Sequence, residues 1–286
     1  MAKPIFISEV SSNHSQNIER SKDFIRKSAE IGCDAVKFQL FKIDQLFAPE
    51  ILSKSEEHRR RKQWELPLDF LPELSQCSKE NDIQFSCTPF YLKAVEELEP
   101  FVDFFKIASY ELLWDDLIIE CAKANKPLIL STGMADLNEI AHAVSTFKAH
   151  SSQKLTLLHT ISAYPTPVEQ ANLKAIETLR EQFGCDVGLS DHSVSPAVIL
   201  RAVHRWQASA VEFHLDLDEQ GEEYQNGHCW LPDKIQQTIA LAQAGFLCDG
   251  TGIKEPVESE LPDREWRADP SDGLRPFISI RKSFNG

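Results

Sequence analysis

Two short runs of this chain end in histidine. Val187-Gly188-Leu189-Ser190-Asp191-His192 and Ala210-Val211-Glu212-Phe213-His214 are small or apolar until their last few residues. As neighbouring parallel strands they would deliver both imidazoles at the same end. Flanked by Asp191, Glu212 and Glu9, the pair offers the nitrogen and oxygen donors that hold a divalent ion with positions left open. The alternative is a plain hydrogen-bonded pair of core histidines. No cysteine stands at those strand ends, which argues against a structural zinc site there. Lys37 and Lys106 form a second set. Each lies in a nearly apolar run, where an ammonium is costly unless an anion neutralises it. With Ser109, Ser131 and Ser190 they suit a phosphate and carboxylate clamp, and a buried ion pair is the alternative for either lysine alone.

Placing these residues together requires a repeated scaffold. Strand-like runs start at Pro4, Asp34, Gln84, Phe104, Pro127, Leu155, Val187 and Ala210. Each is followed by a stretch with helical spacing of apolar residues, the last from Pro232 to Ala244. Strict alternation predicts a parallel sheet, and eight units predict an α/β fold of the (β/α)8 TIM-barrel class spanning residues 1–245. An open doubly wound sheet is weakened because no GxGxxG turn follows any strand. In a barrel the site lies at the C-terminal strand ends. Those ends carry Glu9, Asn13 and His14; Lys37 and Gln39; Thr88; Lys106 and Glu111; Ser131; His159, Ser162 and Tyr164; and the two histidine-ending runs. The segment from Leu40 to Pro67 reads as a long excursion above the barrel. Its basic block His58-Arg59-Arg60-Arg61-Lys62 reads as a solvated face.

Composition narrows the function classes. The 286 residues contain 30 Lys plus Arg against 44 Asp plus Glu, a net charge of −14, and 42% are hydrophobic. Such a surface repels nucleic acid and anionic membrane, so neither is an expected partner. The seven cysteines lack CxxC spacing, and no signal peptide or long apolar run is visible. A reducing, cytoplasmic setting is the expectation.

The motifs Ser12-Asn13-His14, Ala35-Val36-Lys37-Phe38-Gln39, Thr88-Pro89-Phe90 and Lys106-Ile107-Ala108-Ser109-x-Glu111 resemble those of the sialic acid synthase family. So do Ser131-Thr132-Gly133-Met134, Tyr164-Pro165-Thr166-Pro167, Asn172-Leu173, Gly188-Leu189-Ser190-Asp191-His192 and Glu212-Phe213-His214. The resemblance implies a barrel that condenses phosphoenolpyruvate with an open-chain N-acyl amino sugar such as N-acetylmannosamine. The products would be an N-acylneuraminate-type 2-keto acid and phosphate. It further implies that Lys37, Thr88, Lys106, Ser109, Ser131, Ser162 and Ser190 hold phosphoenolpyruvate, and that His192 and His214 bind Mn2+ or Mg2+. Glu9, Gln39 and Tyr164 would contact the sugar. Glu111 is the implied catalytic carboxylate, with Glu9 as its understudy, and Asp191 is placed to orient Ser190 or His192. A homodimer is also implied.

Three departures stand out. Ser162 takes the place of an asparagine. A Gly-Pro-Asp-His segment found in some members is absent after strand eight, where Glu223 or His228 is the candidate sugar contact. Residues 246–286, about forty in number, are too few for the appended antifreeze-like domain of typical members and read as an extension packing on the barrel. Arg264, Arg267 and Arg275 within it could supply a missing cation. Outside the family reading stand a Schiff-base aldolase using Lys37 or Lys106, a metal-dependent hydrolase, and a non-catalytic sugar-binding barrel.

Overall fold

The computed structural model describes residues 3–284. Eight strands pair only with their chain neighbours and all in parallel, and β1 pairs with β8 to close the barrel. They are β1 Ile5–Glu9, β2 Ala35–Leu40, β3 Gln84–Pro89, β4 Phe104–Ile107, β5 Leu128–Ser131, β6 Leu155–Thr160, β7 Asp186–Asp191 and β8 Ala210–His214. The helices that follow them are α1 Ile18–Glu30, α2 Leu71–Glu80, α3 Leu92–Leu98, α4 Asp115–Lys123, α5 Leu137–His150, α6 Ala175–Phe183, α7 Pro196–His204 and α8 Pro232–Cys248. The expected (β/α)8 barrel is therefore the fold. His192 falls one residue beyond β7 rather than at its end, and β3 continues through Thr88 and Pro89.

The residues fall into layers because a strand repeats every two residues. One set of inward positions is apolar: Ile7, Ala35, Phe104, Ile129, Leu158 and Ala210 form a small buried cluster inside the barrel. Two residues further along the same strands stand Glu9, Lys37, Lys106, Ser131, Thr160 and Glu212. Two further again, on β2 and β8, stand Gln39 and His214. The register agrees, since Glu9 is level with both Lys37 and His214. Thus a dry apolar plug carries a charged layer, and the charged layer carries the histidines. Gly188 belongs to the plug, where a Cβ would come within 2.8 Å of the Leu158 side chain. The opposite face of each strand packs under the helices in the main core, through residues such as Phe6, Val36, Phe105, Leu130, Leu157 and Phe213.

Sequence cues set the helix starts. Asn17 caps α1 by accepting from the backbone N–H groups of Glu19 and Arg20. Asp136 and Glu139 form a capping box at α5, satisfying donors that would otherwise have no partner. The excursion after β2 is not a loop. It folds into short helices at Ile43–Leu46, Pro49–Leu52 and Glu56–Arg60, and a 3-10 turn at Arg61–Trp64.

Two compact units divide near the end of α8, one running to Phe246 and the other starting at Leu247. The second unit is built of turns and a short helix, Ile278–Ser283. Within it Arg281 donates to both carboxylate oxygens of Asp272, and the Trp266 and Phe284 rings meet edge-on at 5.9 Å. Among the described residues no disulfide is formed, and no helix is long and apolar enough to cross a membrane.

Candidate active site

A cavity of about 410 Å3 opens at the C-terminal ends of the strands. Of the residues singled out from sequence, Glu9, Lys37, Gln39, Lys106, Ser109, Ser131, Tyr164, Ser190, His192, His214, Glu223 and His228 line it. Thr88, Ser162 and Glu111 do not line it.

The charged layer is its floor. Lys37 is in contact with Glu9, donates to Thr88 Oγ1 at 3.2 Å and lies 3.8 Å from Glu212 Oε2. Lys106 lies 3.2 Å from Glu212 Oε1, which also accepts from Ser190 Oγ at 3.0 Å. Both lysines and both glutamates are at most 3% exposed. The ion-pair alternative for the lysines is therefore realised, and both ammonium groups nonetheless line the cavity. Burial pushes the Glu212 carboxyl up, but Lys106, Lys37 and His214 outweigh it and hold it at about 2. Burial brings the Lys37 ammonium down to about 7, against the pull of Glu212. Glu212 is thus the stand-in anion between two lysines. In the sequence it appeared as an oxygen donor flanking the two histidines, not as a partner of the lysines.

Beside the lysines lies a cradle of hydroxyls. Gly133 donates its backbone N–H to Ser109 Oγ at 3.0 Å, while the buried Oγ atoms of Ser131 and Ser162 have no hydrogen-bond partner. Buried hydroxyls without partners cost stability unless something else meets them. A Cβ on Gly133 would come within 2.8 Å of Ser109 Oγ and overlap Ser162 Oγ. We expect Gly133→Ala to fold normally but to raise KM for an anionic substrate by about tenfold or more. Steady-state kinetics against an unchanged melting temperature checks this.

The histidines form the upper wall. His192 donates from Nδ1 to the Ile161 carbonyl at 2.8 Å, and His214 donates from Nδ1 to Glu223 Oε2 at 2.7 Å. Each anchor fixes the tautomer and leaves Nε2 as the open lone pair, the arrangement found behind metal-ligating imidazoles. The ring centroids are 5.3 Å apart. Burial, reinforced by His214, lowers His192 to about 3, so the ring is neutral and able to ligate. The Tyr164 ring covers His192 at 4.2 Å. Asp191 orients neither Ser190 nor His192. Its oxygens accept instead from Ser193 and from Trp230 Nε1 at 3.1 Å, so it ties β7 to the loop after β8.

That loop carries Glu223, whose remaining oxygen accepts from Ser11 Oγ and whose backbone N–H donates to Asn13 Oδ1 at 2.9 Å. Both carboxylate oxygens are occupied, so Glu223 meets the cavity as the partner of histidines. The basic block divides. Arg60 and Glu56 pair on the surface, whereas Arg61 turns its guanidinium over the Trp64 ring at 5.4 Å and lines the cavity with Phe41, Ile43, Leu46 and Phe90. Periodicity could not reveal this, because the excursion is held in part by a side chain from a distant segment. Gln16 Nε2, from the turn after β1, donates to the Lys62 and Glu65 carbonyls at 3.2 and 2.9 Å.

Glu111 lies just outside the cavity, with Oε2 buried and unpartnered. Burial raises its carboxyl from 4.5 to about 7, against the pull of Lys106. The folded protein therefore holds a proton there that the unfolded chain releases near 4.5. Stability falls as pH rises from about 4.5 and reaches its full loss, up to about 3 kcal/mol, above pH 7. Glu111→Gln should flatten that decline in urea-unfolding free energies measured between pH 5 and pH 8. An unchanged slope would place Glu111 in contact with solvent.

Comparison with known proteins adds a second line of observation. The NeuB family profile matches residues 24–254. The N,N'-diacetyllegionaminic acid synthase of Campylobacter jejuni is 33% identical over 273 residues, 91% of this chain and 81% of that protein. The pseudaminic acid synthase of Helicobacter pylori is 32% identical, covering 90% of this chain and 73% of that protein. The crystal structure of N-acetylneuraminic acid synthetase from Leptospira borgpetersenii, in complex with citrate, superposes with a TM-score of 0.80 at 28% identity, over 95% of this chain and 93% of that one.

Proposed function

The chain belongs to the NeuB family, and from that premise we propose that it condenses phosphoenolpyruvate with an open-chain N-acyl amino sugar. The products are an N-acylneuraminate-type 2-keto acid and inorganic phosphate. One observation carries the reading: two buried ammonium groups, Lys37 and Lys106, converge on one cavity beside unpartnered hydroxyls of Ser131 and Ser162. Carboxylates already occupy the lysines, so an incoming phosphate and carboxylate exchange with Glu9 and Glu212 rather than filling an unpaired site.

In this reading Lys37, Lys106 and the hydroxyls of Ser109, Ser131, Ser162 and Ser190 hold phosphoenolpyruvate, and Thr88 fixes Lys37. Gln39, Tyr164 and Glu9 meet the sugar, with Gln39 donating to Glu9 Oε1 at 3.0 Å to set that carboxylate. His192 and His214 present two neutral imidazoles with anchored Nδ1 atoms and fit a divalent ion, Mn2+ or Mg2+. Such an ion supplies Lewis acidity to the acceptor aldehyde. The methylene carbon of phosphoenolpyruvate attacks the aldehyde carbon, forming the C–C bond and leaving positive character on C2. Glu212, released from the lysines by the incoming phosphate and carboxylate, is a carboxylate available to face that developing charge. Water adds to C2. One of its protons reaches the new alkoxide through a carboxylate, Glu111 or Glu9, and the other leaves with phosphate as the C2–O bond breaks.

Phosphate release tests the reaction. With phosphoenolpyruvate and Mn2+ or Mg2+, release should depend on the acceptor across a panel of N-acetylmannosamine and diacetamido-trideoxyhexoses. No release with any acceptor would end this reading. The depressed Lys37 favours a Schiff-base aldolase instead, and borohydride trapping of that lysine with a keto acid would decide for it.

A further inference from the structure

The loop after β8 brings three donors that the proposed reaction does not use up to His214 at the end of that strand. Ligand atoms of His214, Glu223, His228 and Cys229 all lie within 4.8 Å of one another, a set that leaves His192 outside. His228 and Cys229 are buried. The nitrogens facing Glu223 Oε2 are His214 Nδ1 at 2.7 Å and His228 Nε2 at 3.4 Å. His228 Nδ1 is buried with no partner at all.

Charge and outer contacts point the same way. On the cavity floor Glu9 and Glu212 pair with Lys37 and Lys106, whereas Glu223 lies against imidazoles. The Glu223 carboxylate meets the imidazoles of His214 and His228 and the Ser11 hydroxyl, and a cation held among them would balance it. Asn13 Nδ2 donates to Cys229 Sγ at 3.6 Å while Asn13 Oδ1 accepts from Glu223 N. One side chain thus sets two of the four donors, and Ser11 fixes the Glu223 oxygen that faces away from the imidazoles. These are the outer hydrogen bonds that orient metal ligands.

We infer that His214, Glu223, His228 and Cys229 form a second metal site, which shares His214 with the His192–His214 pair and is suited to Zn2+. Two imidazoles, a carboxylate and a thiolate make a closed four-donor set of the zinc type, whereas Mg2+ favours oxygen ligands and bound water. The ion takes the place of the protons now directed at Glu223. His214 moves its proton from Nδ1 to Nε2, His228 moves its own from Nε2 to Nδ1, and the Cys229 thiol releases one proton to solvent. Because His214 then carries its proton on Nε2, filling this site withdraws His214 from the pair with His192. The site stands on the loop's geometry and does not depend on the phosphoenolpyruvate reaction.

Co2+ is the probe, added to the full chain freed of metal with a chelator. Wild type should show thiolate-to-cobalt charge transfer in the near ultraviolet together with tetrahedral bands in the visible, and Zn2+ should displace both. Cys229→Ser and His228→Asn should remove the charge-transfer band or weaken binding by about tenfold or more, whereas His192→Ala should keep it. Circular dichroism of each variant, recorded alongside, separates loss of the site from loss of the fold. If a folded Cys229→Ser protein binds Co2+ as wild type does, or if the signal disappears only in His192→Ala, the four-donor site is wrong.

Discussion

Lys106→Met should lower kcat/KM for phosphoenolpyruvate by about a thousandfold, and Lys106→Met with Glu212→Gln should not recover it. Lys106 and Glu212 are 3.2 Å apart and almost wholly buried. Removing one member of such a pair leaves an uncompensated charge and costs about 3–5 kcal/mol. The single variant therefore loses stability as well as a substrate contact, and activity alone would not tell the two apart. The double variant does so. Neutralising Glu212 removes the stranded charge, so the melting temperature should return most of the way to the wild-type value. The anion clamp is still missing one cation, so catalysis should stay low. Recovery of both together would mean that Lys106 only stabilises the barrel.

His192→Ala should reduce metal-dependent turnover by about a thousandfold or more, on the scale of several kcal/mol of Lewis-acid stabilisation. Its ring contributes no ion pair to the floor. Its Nδ1 bond goes to the Ile161 carbonyl, and Tyr164 stacks over it, so truncation disturbs only the upper wall. Phosphoenolpyruvate affinity measured by calorimetry should therefore change by no more than a few fold. His214→Ala should lose turnover as well. It should be less stable than His192→Ala, because it also strips Glu223 Oε2 of its nearest partner. Retained turnover in His192→Ala would remove the metal from this position.

Much of the architecture is written in the two-residue period of the strands. Ala35, Lys37 and Gln39 alternate inward on β2, and Ala210, Glu212 and His214 do the same on β8. A reader of the sequence can therefore place plug, charged layer and histidines in order. The unread part lies in pairings between distant segments. Ser11 and Glu223 meet across 212 residues, and Asn13 and Cys229 across 216. No local pattern encodes either contact. Asp191 illustrates the same limit: its neighbours in sequence suggest that it orients Ser190 or His192, yet the indole of Trp230 claims it from another loop. Arg61 sits in a run of like charges that reads as solvent-facing, and only the aromatic surface of Trp64 and Phe47 turns it inward.

The most direct test of the proposed chemistry follows a single oxygen. Phosphoenolpyruvate labelled with 18O at the bridging position is incubated with the protein, Mn2+ and the best acceptor from the panel, and both products are weighed by mass spectrometry. Addition of water at C2 followed by C2–O cleavage predicts labelled phosphate and an unlabelled 2-keto sugar acid. Label retained in the keto acid, or labelled pyruvate with no condensed product, would mean that the P–O bond breaks and that the chain is not a synthase of this kind.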